Sequence, residues 1–223
     1  FNPSEAKYHW IQVNSVPRFM NGEDAPYEVF TTFEDITQTK EAADHIDHLN
    51  RVLKAIRMVN LLITTETRKE ILLNKVCSFL AQGGGYAGVW IILDSDTEVR
   101  VFQETDGASA CGNHPELNIS AEQIRSWIPS AGIRESEVLV REIMITMQEE
   151  GTNPSREGFG VMIAAVSPDN GESGFICACM PGQYLHDPEE KGVFLEIARD
   201  IGFALNHITM VQREESARNA LQA

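Results

Sequence analysis

The sequence predicts an α+β protein: strand pairs packed with helices, set between a long entry helix and a long exit helix, with a separate two-stranded piece in front. Three observations predict it. Aromatic and β-branched residues cluster over residues 8–16 and 27–33, as they do in strands. From Gln38 onward the apolar spacing lengthens to three and four residues, the period of a helix. Between residues 86 and 180, strand-like runs are interrupted by a short capped helical segment, and a second long apolar stripe of helical period then closes the chain.

The first two runs make a hairpin with a long connection, in which Asn21-Gly22 supplies a residue that tolerates positive φ. Two strands alone are marginal in water, so this hairpin is expected to belong to a sheet whose other strands lie upstream. In the entry helix Ala42, Ile46, Leu49, Leu53, Ile56, Asn60 and Ile63 are spaced 4, 3, 4, 3, 4 and 3. That is a heptad seam with Ile46, Leu53 and Asn60 at a and Leu49, Ile56 and Ile63 at d. Such a seam either pairs with a second copy or packs on its own domain, and the two can hold in different parts of one helix. A polar residue at an a position, here Asn60, fixes register and favours two strands.

Thr67-Arg68-Lys69-Glu70 has the pattern of a capping box, opening an amphipathic helix with Ile71, Leu72, Val76, Phe79 and Leu80 that stops at Gly83, Gly84 and Gly85. Residues 89–93 are apolar on both faces, as in a central strand, and 98–102 alternate like a neighbour across Asp94-Ser95-Asp96. Residues 105–118 read as a loop. Ser120, with Gln123 three residues on, caps a short helix carrying Ile124, Trp127 and Ile128 and stopped by Pro129. Residues 137–149 read as two strand segments or one strand with irregular flanks. Strands at 159–166 and 175–180 follow, joined by a hairpin connection pivoting on Gly171. Asp187 as N-cap, Pro188 at N1 and Glu189 and Glu190 in the first turn start the exit helix. Its Phe194, Ile197, Ile201, Ala204, Ile208 and Val211 step 3, 4, 3, 4 and 3, so Ile201 and Ile208 are expected to join the entry-helix residues on a homodimer seam.

Composition narrows the function. Eighteen Lys and Arg stand against 33 Asp and Glu in 223 residues, a net charge of −15. Such a field repels phosphate backbones and anionic lipid, so neither nucleic acid nor a membrane surface is an expected partner. No apolar run approaches the roughly 18 residues of a membrane helix, and no signal segment opens the chain. Without an initiating Met, the chain reads as a piece of a longer protein. Four cysteines, Cys77, Cys111, Cys177 and Cys179, show no framework spacing, which fits a reducing cytoplasm.

The segments YHWIQVNSVPRF (8–19), PYEVFTTFEDIT (26–37) and QTKEA (38–42) resemble the C-terminal end of a PAS domain of bacterial and archaeal sensors. In that family two closing strands lead to an Asp-Ile-Thr, here Asp35-Ile36-Thr37, whose Asp and Thr help start a signalling helix. The segments LNRVLKAIRMVNLLITTETRKEILLNKVCSFL (49–80), YAGVWIILD (86–94), FGVMIAAV (159–166), FICACM (175–180) and FLEIARDIGFALNHI (194–208) resemble a GAF domain of multidomain sensor histidine kinases. The resemblance implies a GAF-like antiparallel sheet flanked by helices, with PAS-derived strands at 1–40, a linking signalling helix at 41–64, the GAF domain at 65–213 and the start of an output linker at 214–223. It also implies an upstream PAS module, a downstream kinase module, and a non-catalytic sensory or relay role for this segment.

No phosphate-cradling, zinc-protease, paired-Cys or nucleophile-elbow motif occurs, and neither does the spaced Asn-Lys-Phe-Asp-Glu signature of cyclic-nucleotide-binding relatives or the Asp-Ile-Pro of bilin-binding ones. No catalytic or metal-ligating set is expected. His45 and His48 lack the neighbourhood of a phospho-accepting histidine and read as solvated helix residues. Cys177 and Cys179 are two apart on a strand and share one face with Phe175. They either line a core or face a pocket where thiolate chemistry or cofactor attachment becomes possible. Cys111-Gly112-Asn113-His114 sets a sulfur and an imidazole within reach of one site, or is a polar turn before Pro115. The ligand is unidentified; haem is one candidate implied by the resemblance, with Trp90, Phe102, Trp127, Cys111 and His114 as the residues to test beside Cys177 and Cys179. Two other readings stay open: a ligand-free dimerisation spacer, and an enzyme like the free methionine sulfoxide reductases that use a Cys on a GAF fold.

Overall fold

The computed structural model describes residues 9–22, 24–94, 99–105, 119–129, 132–147, 155–167 and 173–222. It divides into two units, Phe1–Leu49 and Asn50–Ala223.

In the first unit β1 (Ile11–Phe19) and β2 (Pro26–Asp35) pair antiparallel, with Ile11 opposite Asp35 and Arg18 opposite Glu28, and Gly22 turns the chain at φ 91°. β1 begins later than the expected 8–16 and runs on to Phe19, and β2 passes the expected 27–33 at both ends, because each added residue finds a partner on the other strand. Paired residues share a face, so Ile11, Val13, Pro17, Val29 and Phe33 lie on one side of the ribbon and Gln12, Asn14, Arg18, Glu28 and Glu34 on the other. Both sides are exposed. At the open end, the Thr37 N–H donates to Asp35 Oδ1 at 2.9 Å and the Trp10 N–H donates to Thr37 Oγ1 at 2.8 Å. His9 Nδ1 lies 2.9 Å from Asp35 Oδ2. The Thr37 hydroxyl and N–H, and then His9, hold the Asp35 carboxyl down at about 2. Asp35 and Thr37 thereby tie the start of β1 to the first turn of α1 (Thr37–Thr65).

Within α1, His48, Val52, Ala55, Val59 and Leu62 follow one another at steps of 4, 3, 4 and 3 and are all buried. His48, expected to be solvated, is 1% exposed because its position falls on the same helix face as Val52. In the second unit α2 (Lys69–Ser78) continues into a π-helical turn at Phe79–Gly83, closed by Gly84, with Gly85 at φ 75°. The glycine stop is as expected; the capping box at Thr67 is not. Arg68 is the N-cap residue and makes no side-chain capping bond, because a guanidinium has only donors to offer; its own N–H donates to Glu66 Oε1 at 3.2 Å.

Five strands follow: β3 (Gly88–Asp94), β4 (Val99–Thr105), β5 (Val138–Met147), β6 (Ser155–Val166) and β7 (Ser173–Pro181). They form one antiparallel sheet in the order β4-β3-β7-β6-β5. Residues 137–149, left open as one strand or two, hold the single strand β5. Between β4 and β5 lies α3 (Ala121–Trp127), capped as expected by Ser120, whose Oγ accepts the Gln123 N–H at 3.1 Å. The exit helix is α4 (Pro188–Gln222), where Asp187 Oδ1 accepts the Glu189 N–H at 2.8 Å. The fold is therefore α+β with an antiparallel sheet flanked by helices, as the sequence predicts.

Alternation along the strands splits the core in two. Ile91, Phe102, Ile176 and Ala164 point to the face covered by α1, α2 and α4; Trp90, Cys177 and Ile163 point to the face covered by α3. The first face contains a buried polar pin, in which the Tyr86 hydroxyl donates to Glu190 Oε1 at 2.6 Å with both residues fully enclosed. Burial, reinforced by the Glu190 charge, pushes the Tyr86 phenol well above its ordinary range.

Candidate functional site

The second face gathers most of the residues singled out from the sequence. Trp90 of β3, Cys177 and Cys179 of β7, and Phe159, Val161 and Ile163 of β6 are buried together with Ile124 of α3, and Trp127 packs against them half-buried. Strand register explains the grouping: Trp90 faces Cys177, and Cys177 faces Ile163, across adjacent strands. Phe102 is a correction. It pairs with Ile91, so it points to the opposite face and packs with the helices there, where the Cys77 Sγ–H reaches its carbonyl oxygen at 3.6 Å. Cys111 and His114 lie outside the described residues.

Among the described residues the cluster packs on its own side chains. The Trp90 ring lies over Gly88, where an added Cβ would come within 2.5 Å of the indole, so the missing side chain is what gives the ring its place. The small thiols of Cys177 and Cys179 complete the layer. Burial pushes the Cys179 thiol up to about 12 and the Cys177 thiol higher still, and on the other face burial and the Glu104 charge push Cys77 up to about 12. All three are free thiols. Held protonated, they are poor nucleophiles and poor ligands for a soft metal. Arg125 of α3 pairs with Asp94 at the end of β3 and fastens the helix to the sheet.

Among the described residues the cluster offers haem no axial ligand; Cys111 and His114, the residues to test for that role, lie outside them. Among the described residues the cluster has no histidine, and its two sulfurs are protonated and enclosed, whereas an axial ligand must be an imidazole, a thiolate, a thioether or a phenolate reaching the iron. Among the described residues, no group of three or more His, Cys, Asp or Glu side chains is placed to hold a metal ion, and no helix is long and apolar enough to cross a membrane.

The two long helices distribute their apolar residues differently from the expected seam. On α1 the d residues Leu49, Ile56 and Ile63 are half-buried beside the core stripe, while the a residues Ile46, at 60% exposure, Leu53, at 48%, and Asn60 point outward. On α4 the expected stripe turns inward from Phe194 to Ile208, and Val211 is half-buried. Ile201 and Ile208 are buried against the chain's own sheet and cannot also serve a partner, a correction to their assignment to the dimer seam. The outward apolar residues of α4 are Phe203, at 71% exposure, and Met210, at 61%. Sequence reasoning missed this pair because the longer inward stripe dominates the periodicity. The signal was present: two large apolar residues seven apart, half a helix turn from the stripe.

No protein-family model matches the chain, and no curated protein matches it. Solved structures do. The A. aeolicus NLH2 GAF domain in an inactive state is similar at 12% identity and a TM-score of 0.42, over 74% of this chain and 99% of that one. The GAF domain of a phosphoenolpyruvate-protein phosphotransferase from Coxiella burnetii is similar at 9% identity and a TM-score of 0.44, over 73% and 97%. The GAF domain of a putative sensor histidine kinase from Pseudomonas syringae pv. tomato is similar at 12% identity and a TM-score of 0.43, over 79% and 96%.

Proposed function

We propose that this chain is a non-catalytic sensory and relay segment of a signal-transduction protein, in which a GAF domain is coupled through its long helices to a PAS module before it and a kinase module after it. One observation carries the reading. Both long helices bury one apolar stripe in their own domain and present a second, at heptad spacing, to the outside: Ile46 and Leu53 on α1, Phe203 and Met210 on α4. A second copy of the chain is the partner such stripes fit, and each large side chain removed from water contributes ~1.5–3 kcal/mol to association. The inward stripes make the helices part of the domain, and the outward ones make them part of a dimer. A stimulus that favours one packing of α1 or α4 on the sheet then changes the dimer, in proportion to its differential affinity for the two packings. The free, protonated thiols fit a reducing cytoplasm.

The test is sedimentation. The chain should run as a dimer at micromolar concentration, and the double variant Leu53→Asp with Phe203→Asp should run as a monomer with unchanged helix content. A chain that is monomeric at every concentration overturns the reading.

A second reading, a dimerisation spacer without a ligand, is favoured by the filled cluster around Trp90, Cys177 and Cys179. A small-molecule thermal-shift screen separates the two: a spacer's melting temperature stays flat across the set, and a sensor's rises with its ligand.

A further inference from the structure

A groove of about 320 Å³ runs between α1 and the end of α2, on the helical side of the sheet and apart from the Trp90 cluster. Its walls are Lys54, Ala55 and Met58 of α1 and Ser78, Phe79 and Gln82 at the π-helical turn. The local backbone explains the opening. A π turn bonds each N–H five residues back and widens the helix, and such turns gather at functional sites. At the mouth Gly83 has no side chain, and a Cβ built there would touch nothing within 4 Å. The floor is apolar: Ala55 is buried, Phe79 is half-buried against the core, and Met58 is 45% exposed.

The rim is polar and has one formal charge. Ser78 offers a hydroxyl, Gln82 an amide, and Lys54 an ammonium that forms no ion pair among the described residues. In a chain where 33 acids face 18 bases, a lysine that no described carboxylate neutralises, at the lip of an apolar groove, suits an anionic head. The volume is at the lower end of the ~300–1,000 Å³ of small-molecule sites.

We propose that this groove binds a small apolar monocarboxylate, a medium-chain fatty acid or an arylalkanoate, with its carboxylate on Lys54 and the Ser78 and Gln82 side chains, and its body against Ala55, Met58 and Phe79. Such a molecule wedges α1 against α2 and so acts on the helix that leads to Ile46 and Leu53. That last consequence rests on the relay reading above; the binding does not.

The experiment titrates the whole chain with sodium octanoate and with 4-phenylbutyrate by calorimetry, with octanol as the neutral body, and follows sedimentation in parallel. The expected result is saturable one-to-one binding of the acids, at least tenfold weaker binding of octanol, and at least a tenfold loss for the acids in Lys54→Glu with an unchanged melting temperature. Met58→Trp, which fills the floor, should weaken acids and octanol alike. Absence of saturable binding overturns the proposal, and so does equal binding by Lys54→Glu. If Lys54→Glu or Met58→Trp dissolves a dimer of the free chain, the groove is covered by a second copy and the proposal falls. If the acids bind to a chain that is monomeric throughout, the groove stands and the relay reading falls.

Discussion

The two faces of the five-stranded sheet are made from alternate residues of the same strands, yet they are covered in opposite ways. One lies under α1, α2 and α4 and packs aliphatic side chains from long helices into a broad layer. Among the described residues the other has only one helix over it, α3, seven residues long, with the Trp90 indole folded over Gly88 and two thiols packed beside it. Expectations drawn from the sequence placed the ligand chemistry on this thinly covered side, where Trp90, Cys177 and Cys179 meet. The open space and the exposed apolar stripes are on the thickly covered side, where helices must face both inward and outward. A layer of long helices can both pack a sheet and keep surface in reserve.

The strongest way to break this contrast is Trp90→Ala. In a self-filled face it removes the largest buried side chain and should cost ~3–5 kcal/mol in denaturant unfolding, close to the cost of Phe194→Ala on the other face. A loss under ~1 kcal/mol means that the second face is not packed. Next comes alkali. Cys77, Cys177 and Cys179 ionise well above the ordinary thiol value of 9.0. The folded chain therefore keeps protons that the unfolded chain releases, and stability, full below pH 9, should fall as pH rises toward 12. Each thiol contributes roughly 1 kcal/mol per pH unit in that window. The second face holds two of the three, so Cys177→Ala with Cys179→Ala should remove more of the slope than Cys77→Ala; the reverse order would mean that the faces are not enclosed as described.

Smaller effects sharpen the picture. Gly88→Ala drives a methyl into the Trp90 ring, and overpacking of this kind costs ~1–3 kcal/mol; neutrality would show that the indole has room to move. Arg125→Ala removes the partly exposed ion pair with Asp94 and should cost only ~0.2–1 kcal/mol. A much larger loss in thermal unfolding would show that α3, and with it the second face, depends on that single tie.

Much of the fold was legible. The Ser120 cap, the Gly22 turn, the glycine stop after α2 and the doubly apolar strand at 89–93 each depend on chemistry local to a few residues. What was not legible depends on distant partners. Phe102 was grouped with Trp90 because both are large aromatics near a presumed pocket, but which face a strand residue joins follows from register, and a shift of one residue reverses it. The Thr67 box failed because the helix starts one residue later than the pattern requires, with Arg68 and not Thr67 as the N-cap residue. Heptad spacing on α4 was read correctly as a stripe and assigned to the wrong partner, since periodicity reports that a face is apolar without reporting what covers it. The π turn at Phe79–Gly83 left no composition signal, and the groove it opens was invisible for the same reason.

Helix α1 is unbroken for 29 residues, from the Asp35–Thr37 tie to Thr65, and that continuity has a phase. Adding one residue between Leu49 and Asn50 would rotate the helix residues on one side, Ile46 among them, by about 100° relative to Leu53 and advance them about 1.5 Å, whereas adding seven would bring the two faces of the helix back to within ~20° of their original alignment. On the relay reading proposed above, length changes in this helix are expected in multiples of seven, as in a camshaft whose lobes must keep their timing however long the rod is made.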